Sequence, residues 1–307
     1  LGLLKLIYAH PFLASRVALK GGTALNLFVF DLPRLSVDID LNYIGATDRA
    51  TMAAERPRVD VALGQVFSRA GLTVKRSPSE HAGGKRRLSY TSALGRPAIL
   101  EVDLNFMLRT PLWPTVRRDS LTLLDTQAKA ITVLDEHELA AGKLAALFAR
   151  AASRDLFDAR ELLRRPAWDI AKLRTAFVVY GGINRVDWRT VSVESVTTSA
   201  KDISRQLLPM LRAELRPDRE GVADWTTRLV EETRELLGAL LPLREHELSF
   251  LDRLNADGEI HAELLTEDAS LQGRIRTHPG LRWKALNVKK HFGPSGPSGS
   301  SGSSGDS

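Results

Sequence analysis

The chain has no cysteine. A disulfide framework, a Cys-ligated zinc site and a cysteine nucleophile are therefore excluded, and the absence fits a cytoplasmic setting. Nor is there any run approaching the roughly 18 to 20 apolar residues that a bilayer-spanning helix needs. The opening stretch LGLLKLIYAHPFLASR soon turns polar and lacks a small-residue cleavage site, so no secretory leader is expected there. It starts at Leu1 rather than Met, which leaves the native N-terminus open. What the chain does have is a moderate excess of positive charge, +6 with a pI near 9.7. That suits a polyanionic partner such as RNA, DNA or nucleotides, and equally a plain basic protein. With 43% hydrophobic residues among 307, a full core can form and global disorder is excluded. The length suggests about two domains.

Periodicity divides the chain. Residues 3–14 read as a helix broken at Pro11, residues 17–20 (VALK) as a short strand, and TALNLFVF as a helix capped by Thr23. SVDIDLNY (36–43) alternates: Val37, Ile39 and Leu41 face one way, and Asp38, Asp40 and Asn42 the other. Residues 50–71 predict an amphipathic helix ending at Gly71. LTVKRS, RRLSYTS and PAILEVDLNF predict three strands, with SPSEHAGGKR as a loop between the first two. From about residue 135 onward five segments carry helical periodicity, ISRQLLPMLRAEL among them, and no strand is expected there. The expected fold class is α+β, a mixed sheet with flanking helices followed by an all-helical part. The expected division is 1–115, 116–292 and a Gly/Ser/Pro tail at 293–307, with a hinge near Pro111 and Pro114.

Two features carry chemistry. Gly21-Gly22-Thr23 sits between a strand and a helix, where a phosphate can approach the backbone and meet free N–H groups at a helix start. A Gly-Gly turn is more often only a turn. The second feature, Asp38-Ile39-Asp40, puts two carboxylates on one face of a strand whose other face is apolar. Parallel carboxylates repel, and a cation between them relieves the repulsion. Mg²⁺ prefers such hard oxygen ligands together with substrate phosphates. A third carboxylate is available in AILEVDLNF, where Asp103 and Glu101 share a face and Asp103 lies among Val102, Leu104 and Phe106. The combination predicts a nucleotide-plus-metal site with Asp38, Asp40 and Asp103 as metal ligands.

Lys20-Gly21-Gly22-Thr23-Ala24-Leu25, followed by Arg34-Leu35-Ser36-Val37-Asp38-Ile39-Asp40-Leu41, resembles the first motif of the AbiEii nucleotidyltransferases. Those are toxins of type IV toxin–antitoxin systems within the polymerase-β-like superfamily. Glu138-Leu139-Ala140-Ala141-Gly142-Lys143-Leu144 and Arg154-Asp155-Leu156-Phe157-Asp158 resemble later family motifs. The resemblance spans roughly residues 1–165. It implies that Asp38 and Asp40 bind Mg²⁺, that Gly21, Gly22, Thr23 and Ser36 contact phosphate, and that Lys143 neutralises triphosphate charge. It implies that Asp155 acts near the nucleotide or the acceptor hydroxyl, with Asp158 sharing that role or supporting the helix. A family position with Lys or Arg on a strand before an aromatic is loosely matched by Arg87-Leu88-Ser89-Tyr90.

Read from the residues alone, Lys143 in its apolar helix needs a partner or an exit to water, and Asp155 and Asp158 share one helix face, where ordinary structural roles are equally open. The resemblance further implies a toxin that adds a nucleotide from an NTP to tRNA at its 3′ end, blocking translation, beside a cognate antitoxin that in several such systems forms no stable complex. Arg150, Arg154, Arg160, Arg164 and Arg165 suit an RNA backbone, or simply form a solvated face. Alternative readings are an enzyme of the same fold acting on a protein hydroxyl or a small molecule, and a non-catalytic nucleotide-binding module. A phosphate on Ser36 would add charge beside the carboxylates and block NTP binding. Trp188, Trp225 and Trp283 are expected in the core or at a domain interface.

Overall fold

The computed structural model describes residues 1–78, 83–166, 168–217 and 221–292, with residues 291 and 292 described as backbone only. The elements run in the order α1 (Gly2–Ala9), β1 (Val17–Lys20), α2 (Gly21–Phe28), β2 (Ile39–Tyr43), α3 (Arg49–Arg69), β3 (Thr73–Arg76), β4 (Gly83–Thr91), β5 (Pro97–Asn105), β6 (Val116–Arg118) and β7 (Ile131–Val133). The helices α4 (Glu136–Arg150), α5 (Ser153–Leu163), α6 (Ile170–Ile183), α7 (Ala200–Asp202), α8 (Val222–Leu237), α9 (Glu245–Asp252), α10 (Ala269–Thr277) and α11 (Pro279–Phe292) follow. The fold is α+β, as expected.

The seven strands form one mixed sheet in the order β3-β4-β5-β2-β1-β7-β6. β1 runs antiparallel to β2 and β2 parallel to β5, so Lys20, Asp40 and Asp103 lie side by side in register. The β4–β5 hairpin places Lys85 opposite Asp103. Alternation does the sorting: Leu19, Leu41, Val102 and Leu104 are fully buried, while Asp40 and Asp103 stay partly exposed on their strands.

Four expectations need correcting. β2 begins only at Ile39, so Val37 leaves the apolar face and is 58% exposed. α2 begins at Gly21, not after Thr23, because Gly21 takes a φ of +74° that ends β1 abruptly and opens the helix at once. The sheet continues past the expected boundary at residue 115, since β7 pairs with β1 and β6 with β7, strands of three residues that show no period. The segment ISRQLLPMLRAEL is not one helix. After α7 it becomes a π turn (Ile203–Leu207) and 3₁₀ turns (Leu208–Met210, Ala213–Leu215), with Pro209 unable to continue a helix. A tertiary pairing takes over there: Leu35 N–H donates to Met210 O (2.8 Å), and Arg34 and Leu211 form an isolated bridge. Residues 79–82 of the expected loop and the tail at 293–307 lie outside the described residues.

Candidate functional site

Between the sheet and helices α4 and α5 opens a cleft of about 520 Å³. Its walls include Lys20, Gly21, Gly22, Arg34, Ser36, Asp38, Asp40, Lys85 and Asp103 from the sheet side, and Glu138, Lys143, Arg150, Arg154, Asp155 and Tyr180 from the helices. The expected site residues thus share one cavity, apart from Thr23, which lies buried behind it.

The glycine turn is shaped by contact as well as by backbone. A Cβ on Gly21 would collide with the Asp40 carboxylate, and one on Gly22 would press on Ser36 Oγ and the Arg34 guanidinium. The α2 N-terminus therefore comes as close to the carboxylates as a backbone can, with first-turn N–H groups that lack intrahelical partners. Thr23, 3% exposed, turns its hydroxyl away from the cleft and donates to the carbonyl of Asp38. It also lies 3.2 Å from Ser36 Oγ. Its role is to fix the loop that carries Ser36 and Asp38.

Asp38, Asp40 and Asp103 have no hydrogen-bonded or ion-paired partner for their carboxylates among the described residues. Burial and then the neighbouring Glu101 and Asp40 raise the Asp38 pKa above the usual carboxylate range, despite Lys85 and Arg154. Burial likewise raises Asp103; Asp40 adds to the rise while Lys20 and Lys85 oppose it. Glu101 differs. Its carboxylate accepts from Lys85 Nζ at 2.7 Å and lies 3.5 Å from Arg87, and these hold its pKa low. Among the described residues no three His, Asp or Glu side chains form a ready-made metal cage. The donor set is nonetheless hard oxygen, crowded and unneutralised, which fits an ion that completes its shell with substrate phosphates.

The helical wall has the opposite character. Lys143 Nζ sits 2.9 Å from both Asp155 and Asp158. Asp158, fully buried, also accepts a fork from Arg34 at 2.6 and 2.5 Å. Arg150 caps Asp155 at 2.7 Å. Burial works against the Lys143 ammonium, but Asp158 and Asp155 outweigh it and its pKa is raised. Burial works against the Asp158 carboxylate, and Lys143 and Arg34 reverse that, lowering its pKa. Lys143 thus finds partners instead of reaching bulk water, and Asp158 supports the wall without lining the cleft.

Residues without an expected role also line the cleft. Lys85 fell in the tract read as a loop, because β4 starts at Gly83. Arg87, the loose motif match, points its half-exposed side chain at Glu101 and does not line the cleft. Glu138 is 1% exposed, accepts from Tyr180 OH at 3.0 Å and from the Trp113 N–H at 3.3 Å, and is pushed by burial to about 7. Arg34 and Glu138 stand inside the motif segments, but only tertiary pairing reveals their roles. Three of the five arginines expected to suit an RNA backbone are ion-paired, Arg150 with Asp155, Arg160 with Glu232 and Glu161, and Arg165 with Glu136, while Arg154 lines the cleft. Trp188 is buried as expected, whereas Trp283 on α11 is 53% exposed.

A glycine turn at a helix start, facing unneutralised carboxylates on adjacent strands and a buried lysine opposite, is the arrangement of a nucleotidyltransferase. The family profile described as "Nucleotidyl transferase AbiEii toxin, Type IV TA system" matches residues 3–235. The chain belongs to this family of nucleotidyltransferase toxins of type IV toxin–antitoxin systems. A search of the curated proteins gives no match. Among solved structures, the chain is similar to MenT4, a nucleotidyltransferase toxin from Mycobacterium tuberculosis H37Rv, with 18% identity and a TM-score of 0.52 over 95% of this chain and 90% of that one. At that identity the likeness concerns the fold.

Proposed function

We propose that the cleft binds a nucleoside triphosphate with Mg²⁺ and transfers its nucleotidyl group to an RNA acceptor, the 3′ end of tRNA, so that translation is blocked. The observation that carries this reading is the trio Asp38, Asp40 and Asp103, partly buried and unpartnered beside a glycine turn that admits no Cβ. Asp38 and Asp40, with Asp103 beside them, would hold the ion. Such an ion supplies charge neutralisation at the triphosphate and eases ionisation of the attacking hydroxyl.

The chain's own groups do the rest. Backbone N–H groups of Gly21 and Gly22 and the Ser36 hydroxyl take phosphate oxygens, with Thr23 holding the loop behind them. Lys143 offsets the charge that accumulates on the leaving group. Asp155, held by Lys143 and Arg150, is a positioning residue that keeps both cations at the cleft. The acceptor hydroxyl oxygen forms a bond to the α-phosphorus, the bond to the bridging oxygen breaks, pyrophosphate leaves with the electron pair, and the hydroxyl proton is lost to solvent. NTP and tRNA as substrates place the reaction in the cytoplasm, next to a cognate antitoxin. Among the described residues no helix is long and apolar enough to cross a membrane.

The test is incubation with total tRNA, Mg²⁺ and each radiolabelled NTP in turn, beside Asp38→Ala and beside a chelator. Label on tRNA from the wild type alone, lost with chelator, is the expected result. Intact NTP binding with no labelled RNA moves the acceptor to a protein hydroxyl or a small molecule.

A further inference from the structure

The β3–β4–β5 end of the sheet is covered on one face only. On that face Leu88, Val102 and Leu104 are fully buried, and Arg86 pairs with Asp60 of α3. The opposite face continues the row of the cleft carboxylates. Cross-strand partners share a face, so the row Asp40–Asp103–Lys85 is followed, two residues along, by Glu101–Arg87–Arg76. A bulge in β3 between Val74 and Arg76 adds Lys75 to the same edge. All four residues of β3 are exposed, as are the side chains of Lys85 and Arg87. Lys75 and Arg76 have no side-chain partner among the described residues. Among the described residues Glu101 is the carboxylate ion-paired here, with Lys85 and Arg87, and Lys85 also faces the cleft carboxylates, so the strip turns net positive from Arg87 outward, where the carboxylates end.

We propose that this open strip, Lys85, Arg87, Arg76 and Lys75, is the track on which the single-stranded 3′ end of the acceptor RNA lies, with its terminal hydroxyl delivered to Asp38 and Asp40. The inference rests on the RNA-acceptor reading above and adds the path. Charge complementarity selects a polyanion, because arginine and lysine heads in a row match successive phosphates. The geometry selects a single strand. The strip is an open sheet face continuous with a cleft of about 520 Å³, which an extended end can enter. Each two-residue step along the strands covers roughly 6.6 Å, so Arg87 and Arg76 sit under nucleotides upstream of the terminal one.

The test compares full-length wild type, the double variant Lys75→Glu/Arg76→Glu, and a charge-matched double variant on α11, Lys289→Glu/Lys290→Glu. Binding of a fluorescent single-stranded RNA of about 12 nucleotides is followed against salt concentration, with NTP binding measured in parallel. The β3 variant is expected to bind RNA at least about tenfold more weakly at about 0.1 M salt, with its log–log salt slope reduced by about 2, and the α11 variant to change far less. Equal losses in the two variants, or an unaltered β3 variant, overturn the track while leaving the RNA-acceptor reading in place. A wild type that binds NTP but neither binds nor labels RNA overturns both.

Discussion

On the sheet side of the cleft Asp38, Asp40 and Asp103 stand without partners, whereas on the helical side Lys143, Asp155, Asp158, Arg34 and Arg150 close into one chain of ion pairs. All but Asp103 and Arg150 come from motif segments, and apart from the exposed Arg150 both walls are partly or wholly withdrawn from water. The difference lies in what each wall does before any ligand arrives. A buried, fully paired network is scaffold, and breaking one member strands a charge. Unpaired carboxylates that repel one another make the folded protein less stable than it would be without them, a strain that a bound cation relieves. The same amino-acid types therefore carry opposite stability signs at opposite sides of one cavity.

The sharpest way to break this comparison is Asp38→Ala. Nucleotidyl transfer should fall about a thousandfold or more, because several kcal/mol of electrostatic stabilisation vanish. The melting temperature should hold or rise, since a carboxylate repelled by Glu101 and Asp40 is gone. A clear drop in stability would assign Asp38 to the scaffold. Asp158→Ala should do the reverse, costing about 3–5 kcal/mol by chemical denaturation, because Arg34 and Lys143 lose their buried counter-charge. A loss below about 1 kcal/mol would show that water enters this wall.

Glu138 sharpens the comparison through pH. Its folded pKa, about 7, lies above the ordinary carboxyl value of 4.5. The fold thus binds a proton that the unfolded chain releases. Its contribution is complete below about 4.5 and is lost as pH rises through about 7, amounting to roughly 3 kcal/mol. Denaturation of wild type across pH 4 to 8 should show this decline, and Glu138→Gln should remove it. The smallest effect is expected for Thr23→Val. This leaves the volume unchanged but deletes the hydroxyl that ties the Ser36–Asp38 loop, for about 1 kcal/mol and a modest loss of activity. A complete loss of activity would place Thr23 on the substrate.

Much of the site was legible before the fold. The alternation around Asp38 and Asp40, the Gly-Gly turn before a helix, and the lysine in an apolar helix are local patterns, and each requires only its neighbours in sequence. Local patterns also misled at definable points. Val37 continues the alternation of β2 yet precedes the strand, because strand limits are set by where β1 and β5 stop pairing. Pro209 breaks a segment whose periodicity is helical on both sides. Lys85 hid in a polar tract whose end belongs to a hairpin. Arg160 of α5 and Arg165 just beyond it look like part of a nucleic-acid face until their acidic partners on α8 and α4 are seen.

By itself, the sequence determined the fold class, the carboxylate pair, the glycine turn and the family, because these depend on short-range periodicity and on residue types with few uses. Tertiary structure alone decided the balance of charge. Arg34 and Asp158 are 124 residues apart, as are no two members of any motif, yet they are in contact. Asp103 reaches Asp40 only because β5 lies parallel beside β2. Whether a charged side chain is scaffold or site depends on which counter-charges come within a few ångströms, and that distance is fixed by packing.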